Sequence, residues 1–485
     1  MPTVNPSIFR AYDIRGTADA TEQKPQPDLT PETVKLIGLG AGTYLQRTYA
    51  AKNIIVGRDN RLHSVKLQQA FIEGLLETGM DVMDAGLTTS PMIYFASCHY
   101  GSDAAANITA SHNPKQDNGI KIVQKHAHSV DDLELQEIRK IIEAENFIRS
   151  EKLGSLTSLP NVASDYQQKI ISVTKLHNTI RHTSAEITNI ARPLKIVLDA
   201  GNGVAGAYAP DIFRAIGCEV TELFCELDGN FPNHEANPEH AKNMIDLGNK
   251  VREIGADLGI GFDGDGDRVG IVDENGKHYS AEFPIMLIAR DLLASHPGEK
   301  IIHDVKVCQS VVDDITSHGG QPIMSRVGHS YIERRLRSEN ATFAGEKSGH
   351  MFFGPLYFNY YGFDDGIFAG VKIVEALSKL PQSFSEIFAS IPINPNIPEL
   401  KLFCPDERKH HVIETVKNHF LPLYDCITLD GVRLQFPDGA WILARYSNTS
   451  PYLTLHAEAP SEARLMEIKE LVFDQLHLHP EVSLP

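Results

Sequence analysis

The stretch KNIIVGRDNRLHSVKLQQAFIEGLLETGMDVMDAG, residues 52–86, decides the fold class. KNIIVGRD is a short apolar run that reads as a strand, KLQQAFIEGLLETGM as an amphipathic helix and DVMDAG as a second strand. PMIYFASCHY then adds another helix. Strands alternating with helices are the mark of an α/β layer, a sheet covered by helices. The alternation restarts at LKIVLDAGNG with the helix AGAYAPDIFRAIG, and again with the helix PIMLIARDLLASH and the strand KIIHDVKV. These restarts predict α/β domains over 1–156, 157–277 and 278–389. The proline-rich IPINPNIPEL reads as a linker. In the remainder, 390–485, strand-like runs around a DG turn in DGVRLQFPDGAWILARYSNTSPYLTLHAEA predict an antiparallel sheet with helices. There is no low-complexity tract and no clear repeat.

Beyond the first strands lies NITASHNPKQDNGIK, residues 107–121. DAAANI before it and GIKIVQK around its end read as strands, so the polar loop between them is expected to aim Ser111 outward. A serine hydroxyl needs activation to act as a nucleophile, and His112 and Lys121 are the neighbours that could carry its proton or stabilise charge. A plain turn closed by Pro114 would also explain this composition.

A second constellation, GIGFDGDGDRVGIVDENG, sets Asp263, Asp265 and Asp267 on alternate positions separated by glycine. Three carboxylates so close repel strongly, and a cation among them relieves the repulsion. All-oxygen ligation suits a hard ion such as Mg2+. An EF-hand is mimicked by Glu274 at the twelfth position, but Arg268 stands where that loop needs glycine, and the flanks read as strands. Arg268 fits better as a clamp for a phosphate beside the metal.

The chain has 485 residues, 42% of them hydrophobic, enough for three or four cored domains. Its 63 acidic against 45 basic residues give a net charge of -18, which argues against a general nucleic-acid or membrane-surface binder, so a bound anion needs a local basic pocket. The start MPTVNPSIFRAYDIRG has no apolar signal core, and no run approaches a membrane span. The six cysteines, without a CxxC pair, suit a reducing compartment, so a cytoplasmic protein is expected.

Gly201, Gly203 and Gly206 form a GxGxxG between a strand and a helix, with Glu222 where a ribose carboxylate is expected; a dinucleotide-binding oxidoreductase is therefore one reading, and a tight α/β turn the other. No P-loop occurs. Two further loops carry polar groups. In GEKSGH, Glu346 and Ser348 alternate and would point the same way toward a pair of hydroxyls. In RYSNTSP, Arg445, Ser447, Asn448 and Thr449 supply a guanidinium fork and small donors for a phosphate dianion.

These loops in this order, with FRAYDIRG, VGRDNR, TTSPMIYFA, VLDAGNG and GFDDG, resemble the α-D-phosphohexomutase superfamily, in particular its phosphomannomutase/phosphoglucomutase branch. The resemblance spans the chain. It implies four domains around a central cleft, three similar mixed-sheet α/β domains and a smaller C-terminal α+β domain like the TATA-binding protein, with one loop from each. It also implies interconversion of hexose 1-phosphate and hexose 6-phosphate, of mannose, glucose or both, through a phosphoserine and a hexose 1,6-bisphosphate that also serves as activator. Ser111 would carry the phosphoryl group, and one Mg2+ would sit on Asp263, Asp265, Asp267 and an oxygen of Ser111. Arg15, His112, Lys121 and Arg268 would surround the transferring group. Tyr12, Lys306 and His329 would be further sugar or phosphate contacts, Glu346 and Ser348 would grip O3 and O4, and Arg445, Ser447, Asn448 and Thr449 would hold the other phosphate. A small phosphosugar is then the expected partner, with no nucleic acid or membrane, and the chain a monomer or weak homo-oligomer. Lys347 stands where the phosphomannomutase branch often has Met and the phosphoglucosamine branch Gln. A phosphoglucosamine mutase and a metal-dependent phosphatase are the alternatives.

Overall fold

The computed structural model describes residues 4–10, 12–22, 24–174, 192–447 and 450–484. Four sheets follow one another along the chain. In the first, Asn53–Arg58 lies between Asp81–Leu87 and Ala104–Ile108, parallel to both, and Asp117–Gln124 returns antiparallel beside Ala104–Ile108. Ile14–Thr17 completes that edge, again antiparallel, and the short Leu156–Ser158 closes the other. In the second sheet, Lys195–Asp199 and Leu258–Phe262 run parallel, and Val269–Asp273 returns antiparallel. The third repeats the device: Lys300–Asp304 and Phe343–Gly345 are parallel, and Met351–Phe353 returns antiparallel. The fourth is wholly antiparallel, in the order Asn396–Phe403, Tyr452–Glu458, Trp441–Tyr446, Val432–Gln435, Asp425–Ile427. The helices Asp406–Phe420 and Glu462–Leu476 pack on it.

The first three sheets therefore each contain a parallel strand followed by a loop and an antiparallel return strand. The serine loop, the aspartate loop and the GEKSGH loop are those three equivalent connections. Each leaves the carboxyl end of a parallel strand, where open α/β sheets bind ligands. Trp441–Tyr446 and Tyr452–Glu458, the strands on either side of RYSNTSP, are an antiparallel pair of the fourth sheet.

Helix residues follow the expected stripe. Ser64–Glu77 turns Leu67, Phe71 and Leu75 into the core beneath the first sheet, against Pro31–Tyr49. A single larger apolar core runs through the first three sheets, whereas the fourth has its own. Val305, Val327, Trp441 and Leu443 form a small apolar contact between the third and fourth.

One expectation is overturned here. The second half of IPINPNIPEL is not linker but the start of the edge strand Asn396–Phe403. Its proline is tolerated because Pro398 falls within a register shift, between Ile397 and Leu400, on an edge. In addition, no described helix is long and apolar enough to cross a membrane.

Candidate active site

Ser111 does not point out from an exposed loop, as its polar surroundings suggested; it is 1% exposed, covered by the second sheet's aspartate loop. Its backbone is left-handed, φ 52°, a conformation costly for a non-glycine residue and held only when neighbours over-determine it. Those neighbours are identifiable. The buried Arg61 guanidinium donates to the carbonyls of Ser111 (2.8 Å), Asn113 (2.7 Å), Pro114 (2.7 Å) and Asp117 (3.0 Å). Arg15 donates to Ala110 O at 3.1 Å and to Asn113 Oδ1 at 3.0 Å, and is itself held by Asp13 at 2.8 Å. Two arginines thus brace the loop through its carbonyls.

The braced hydroxyl donates to Asp263 Oδ2 at 2.6 Å, with His112 Nδ1 3.1 Å away. Burial, together with Arg268 and Arg15, holds the His112 imidazole well below its usual range, so it is neutral. Asp263, Asp265 and Asp267 are fully buried, and an oxygen from each lies within 4.8 Å of the others. Desolvation and the two neighbouring carboxylates push Asp263 well up. Lys121 relieves part of the repulsion: its ammonium is 2.8 Å from Asp265 and also pairs with Asp267. Burial works against that charge, but the two aspartates outweigh it and hold Lys121 ionised. Asp265 Oδ1 is left without a hydrogen-bond partner, and Asp267 Oδ1 meets only His350, at 3.3 Å. An orphaned buried carboxylate oxygen within a trio of clustered aspartates fits a hard divalent cation. Ser90, at the start of the helix Ser90–Tyr100, fastens this loop to the first domain by donating its backbone N–H to Asp265 O (2.9 Å) and its hydroxyl to Asp265 Oδ2 (2.6 Å).

The EF-hand resemblance dissolves in three dimensions. Its flanks are the antiparallel pair Leu258–Phe262 and Val269–Asp273, and Glu274 accepts hydrogen bonds from Ser383 and Ser385 instead. The GxGxxG glycines have packing duties. A Cβ on Gly203 would sit 2.9 Å from Gly264, in the aspartate loop, and one on Gly206 would sit 2.3 Å from Cys225 O. Glu222 pairs with Arg214.

One cavity of about 560 Å³ gathers the candidates: Tyr12, Arg15, His112, Lys121, Arg268, Lys306, His329, Glu346, Ser348, Arg445 and Ser447 all line it. Asn448 and Thr449 lie outside the described residues. Ser111 and the aspartates sit beneath its floor, Ser111 meeting His112 and the aspartates meeting Lys121. On the third domain, Glu346 accepts from Gly328 N at 2.9 Å, and Ser348 Oγ lies 2.9 Å from His350. Tyr12 and His329 meet edge to face at 4.7 Å. Arg445 donates through Nε to Asp430 at 2.9 Å, and the loop that follows is held by Lys409, which donates to the carbonyls of Ser447 (2.7 Å) and Ser450 (3.2 Å).

Sequence reasoning missed His350 and Arg61. His350 lies 3.3 Å from Asp267, 3.0 Å from Glu346 and 3.6 Å from Asp364. Burial disfavours its charge, but the carboxylates led by Asp267 outweigh burial and push it up to about 10. Its signal was available: the alternation of Glu346 and Ser348 continues to His350 within the same GEKSGH motif. Arg61 carried no such signal, because its four carbonyl partners lie more than 49 positions away.

Family models match all four parts of the chain: phosphoglucomutase/phosphomannomutase alpha/beta/alpha domain I over residues 6–149, domain II over 166–276, domain III over 282–393 and the C-terminal domain over 399–475. The chain belongs to the phosphoglucomutase/phosphomannomutase family. It is 38% identical over 484 residues to a phosphomannomutase/phosphoglucomutase of Pseudomonas putida, covering 99% of this chain and 97% of that protein. To a phosphoglucomutase of Neisseria gonorrhoeae it is 36% identical, covering all of both chains. The crystal structure of a phosphoglucomutase/phosphomannomutase family protein from Burkholderia thailandensis superposes with a TM-score of 0.86 at 34% identity, again over the whole of both chains. The four-domain architecture is thus that of the phosphohexomutases.

Proposed function

We propose that this family member interconverts hexose 1-phosphates and hexose 6-phosphates, of mannose, glucose or both, by way of a phosphoserine at Ser111 and a hexose 1,6-bisphosphate. The observation that carries the reading is the 2.6 Å contact between the Ser111 hydroxyl and Asp263, under a single cleft fed by loops of all four sheets.

Phosphoryl transfer asks little covalent chemistry of a protein; it needs in-line positioning and positive charge aimed at the phosphate oxygens. In this reading the phosphoserine P–Oγ bond breaks as a sugar hydroxyl oxygen bonds to phosphorus, and the proton that hydroxyl loses is balanced by the one Oγ regains. When the sugar's other phosphate returns, Oγ must give that proton up. Asp263 Oδ2 and His112 Nδ1 are the acceptors within reach, although the burial and arginine charges that keep the imidazole neutral also make it a weak base. Asp263, Asp265 and Asp267, with an oxygen on Ser111, would hold Mg2+. When bound, that ion would neutralise charge on the transferring phosphate. Arg15, Lys121 and Arg268 would add fixed positive charge, while Tyr12, Lys306 and His329 would contact the sugar or its phosphate. Glu346 and Ser348 would hold O3 and O4, and Arg445 and Ser447, with Asn448 and Thr449, the phosphate not in transit. The same grip must accept the bisphosphate in two orientations. A site that reads O3 and O4, shared by glucose and mannose, discriminates C2 epimers weakly.

All six cysteines are unpaired, which supports a reducing compartment, the cytoplasm.

The test is product analysis with Mg2+ and a trace of hexose 1,6-bisphosphate. Mannose 1-phosphate and glucose 1-phosphate should yield the 6-phosphates with little free phosphate, and glucosamine 1-phosphate should turn over more slowly. Inorganic phosphate as the main product would identify a phosphatase and reject the mutase.

A further inference from the structure

Outside the residues already given a role, Asp430 is the buried carboxylate best placed to affect the cleft. It is 4% exposed and lies in the turn between Asp425–Ile427 and Val432–Gln435. The next residue, Gly431, has φ 77°, and a Cβ there would fall 2.2 Å from Ala444 O and 2.8 Å from Arg445 Cα. Only glycine lets the turn lie flush against the strand that ends in Arg445. The turn thereby delivers Asp430 Oδ2 to two donors at once: Arg445 Nε at 2.9 Å and the backbone N–H of Val327 at 3.1 Å.

The two donors belong to different domains. Arg445 is on the fourth sheet, whereas Val327 follows the third-sheet strand Gln321–Ser325 and precedes Gly328 and His329. Gly328 N in turn donates to Glu346, so a short chain of hydrogen-bonded and covalent links runs from Arg445 to the residues proposed to grip the sugar. A guanidinium is a rigid planar fork. Held at Nε by a carboxylate, its plane is fixed, with Nη2 left for a second anion. Arg445 Nη2 is buried and has no hydrogen-bond partner, although Arg445 lines the cleft.

We infer that Asp430 is a positioning residue for substrate binding: it aims the Arg445 fork at the phosphate not being transferred and registers that grip against the domain that reads the sugar hydroxyls. The inference rests on the mutase reading of the cleft.

The experiment measures glucose 6-phosphate binding by calorimetry, together with kcat and KM, for wild type, D430A, D430N, R445A and D430A/R445A. Circular dichroism checks the fold, and D430S replaces D430A should the latter not fold. Loss of one charge-assisted hydrogen bond predicts a roughly 10- to 100-fold weaker Kd and higher KM for D430A, with a smaller change in kcat. D430N can place its amide oxygen where Oδ2 now lies and should restore most of the affinity. Because Asp430 acts through Arg445, D430A should weaken binding by no more than about 3-fold in the R445A background, the non-additivity expected of residues that act as a unit. Unchanged affinity in D430A or D430S, or full additivity with R445A, overturns the inference while leaving the mutase reading standing. Wild-type protein that binds no hexose phosphate overturns both.

Discussion

Replacing Gly264 with alanine tests the closeness of the serine and aspartate loops. A Cβ built on Gly264 lies 2.4 Å from the carbonyl oxygen of Ser111 and 3.3 Å from its carbonyl carbon. Comfortable carbon–oxygen contacts begin near about 3.3 Å, so the loops must part by roughly 1 Å. No flexible side chain can give way, since the obstacle is backbone. Retreat on the other side is blocked as well, because Gly203 packs against Gly264 and Val204 N donates to Gly264 O at 3.1 Å. The 2.6 Å contact from Ser111 to Asp263 then stretches beyond hydrogen-bond range. A 1 Å misplacement of reacting groups costs on the order of 100-fold in rate. Overpacking should add roughly 1–3 kcal/mol of lost stability. Initial rates at saturating hexose 1-phosphate and thermal melts read both, and KM should change little because the sugar and phosphate grips are untouched. G255A is the control. Gly255 caps a helix at φ 63° with nothing within 4 Å of its would-be Cβ, so it should lose about 1 kcal/mol of stability and no activity. A folded G264A protein with kcat within 3-fold of wild type would refute the argument that this contact sets the reacting geometry.

Ser111→Ala should lower phosphotransfer by roughly 1000-fold or more and yield no phosphorylated peptide in mass spectrometry, with the circular dichroism spectrum retained; wild-type turnover would remove Ser111 as nucleophile. Chelation should abolish turnover and Mg2+ restore it, and Mg2+ should raise the melting temperature of wild type but not of D265N/D267N, which lacks two of the three clustered carboxylates. Burial pushes the Asp365 carboxyl from 3.8 up to about 7, although Tyr166, Tyr360 and Phe368 N donate to it. The folded state therefore binds more protons than the unfolded one between these values, and this group's contribution to stability falls as pH rises through that window. D365N, whose amide keeps one acceptor oxygen and offers a donor at the other position as the protonated acid does, should gain stability relative to wild type as pH rises from 5 to 8, by up to roughly 3 kcal/mol; a pH-independent difference in thermal melts would count against a protonated Asp365.

Much of this protein was legible residue by residue. Apolar runs of strand and helix length announced the α/β layers, and three aspartates spaced by glycine announced charge that must be neutralised, because these signals are local and periodic. The same holds for Ser111, whose polar loop stands out between two strands. Contacts made across long separations were not legible. The sequence placed Ser111 on an outward loop, yet its burial is the sum of contacts from a loop more than 150 positions away. Pro398 read as linker because only the partner strand reveals the register shift that accommodates it. Arg61, His350 and Asp430 look like ordinary polar residues until folding surrounds them with particular carbonyls, carboxylates and a guanidinium.

Local pattern determined which segments became strands, helices and chemically loaded loops, since backbone periodicity and side-chain type act over a few residues. Tertiary structure alone decided that four such loops share one cleft, which charges neutralise one another there and how the nucleophile is aimed. Those outcomes depend on distances between groups far apart in the chain, and only packing fixes them.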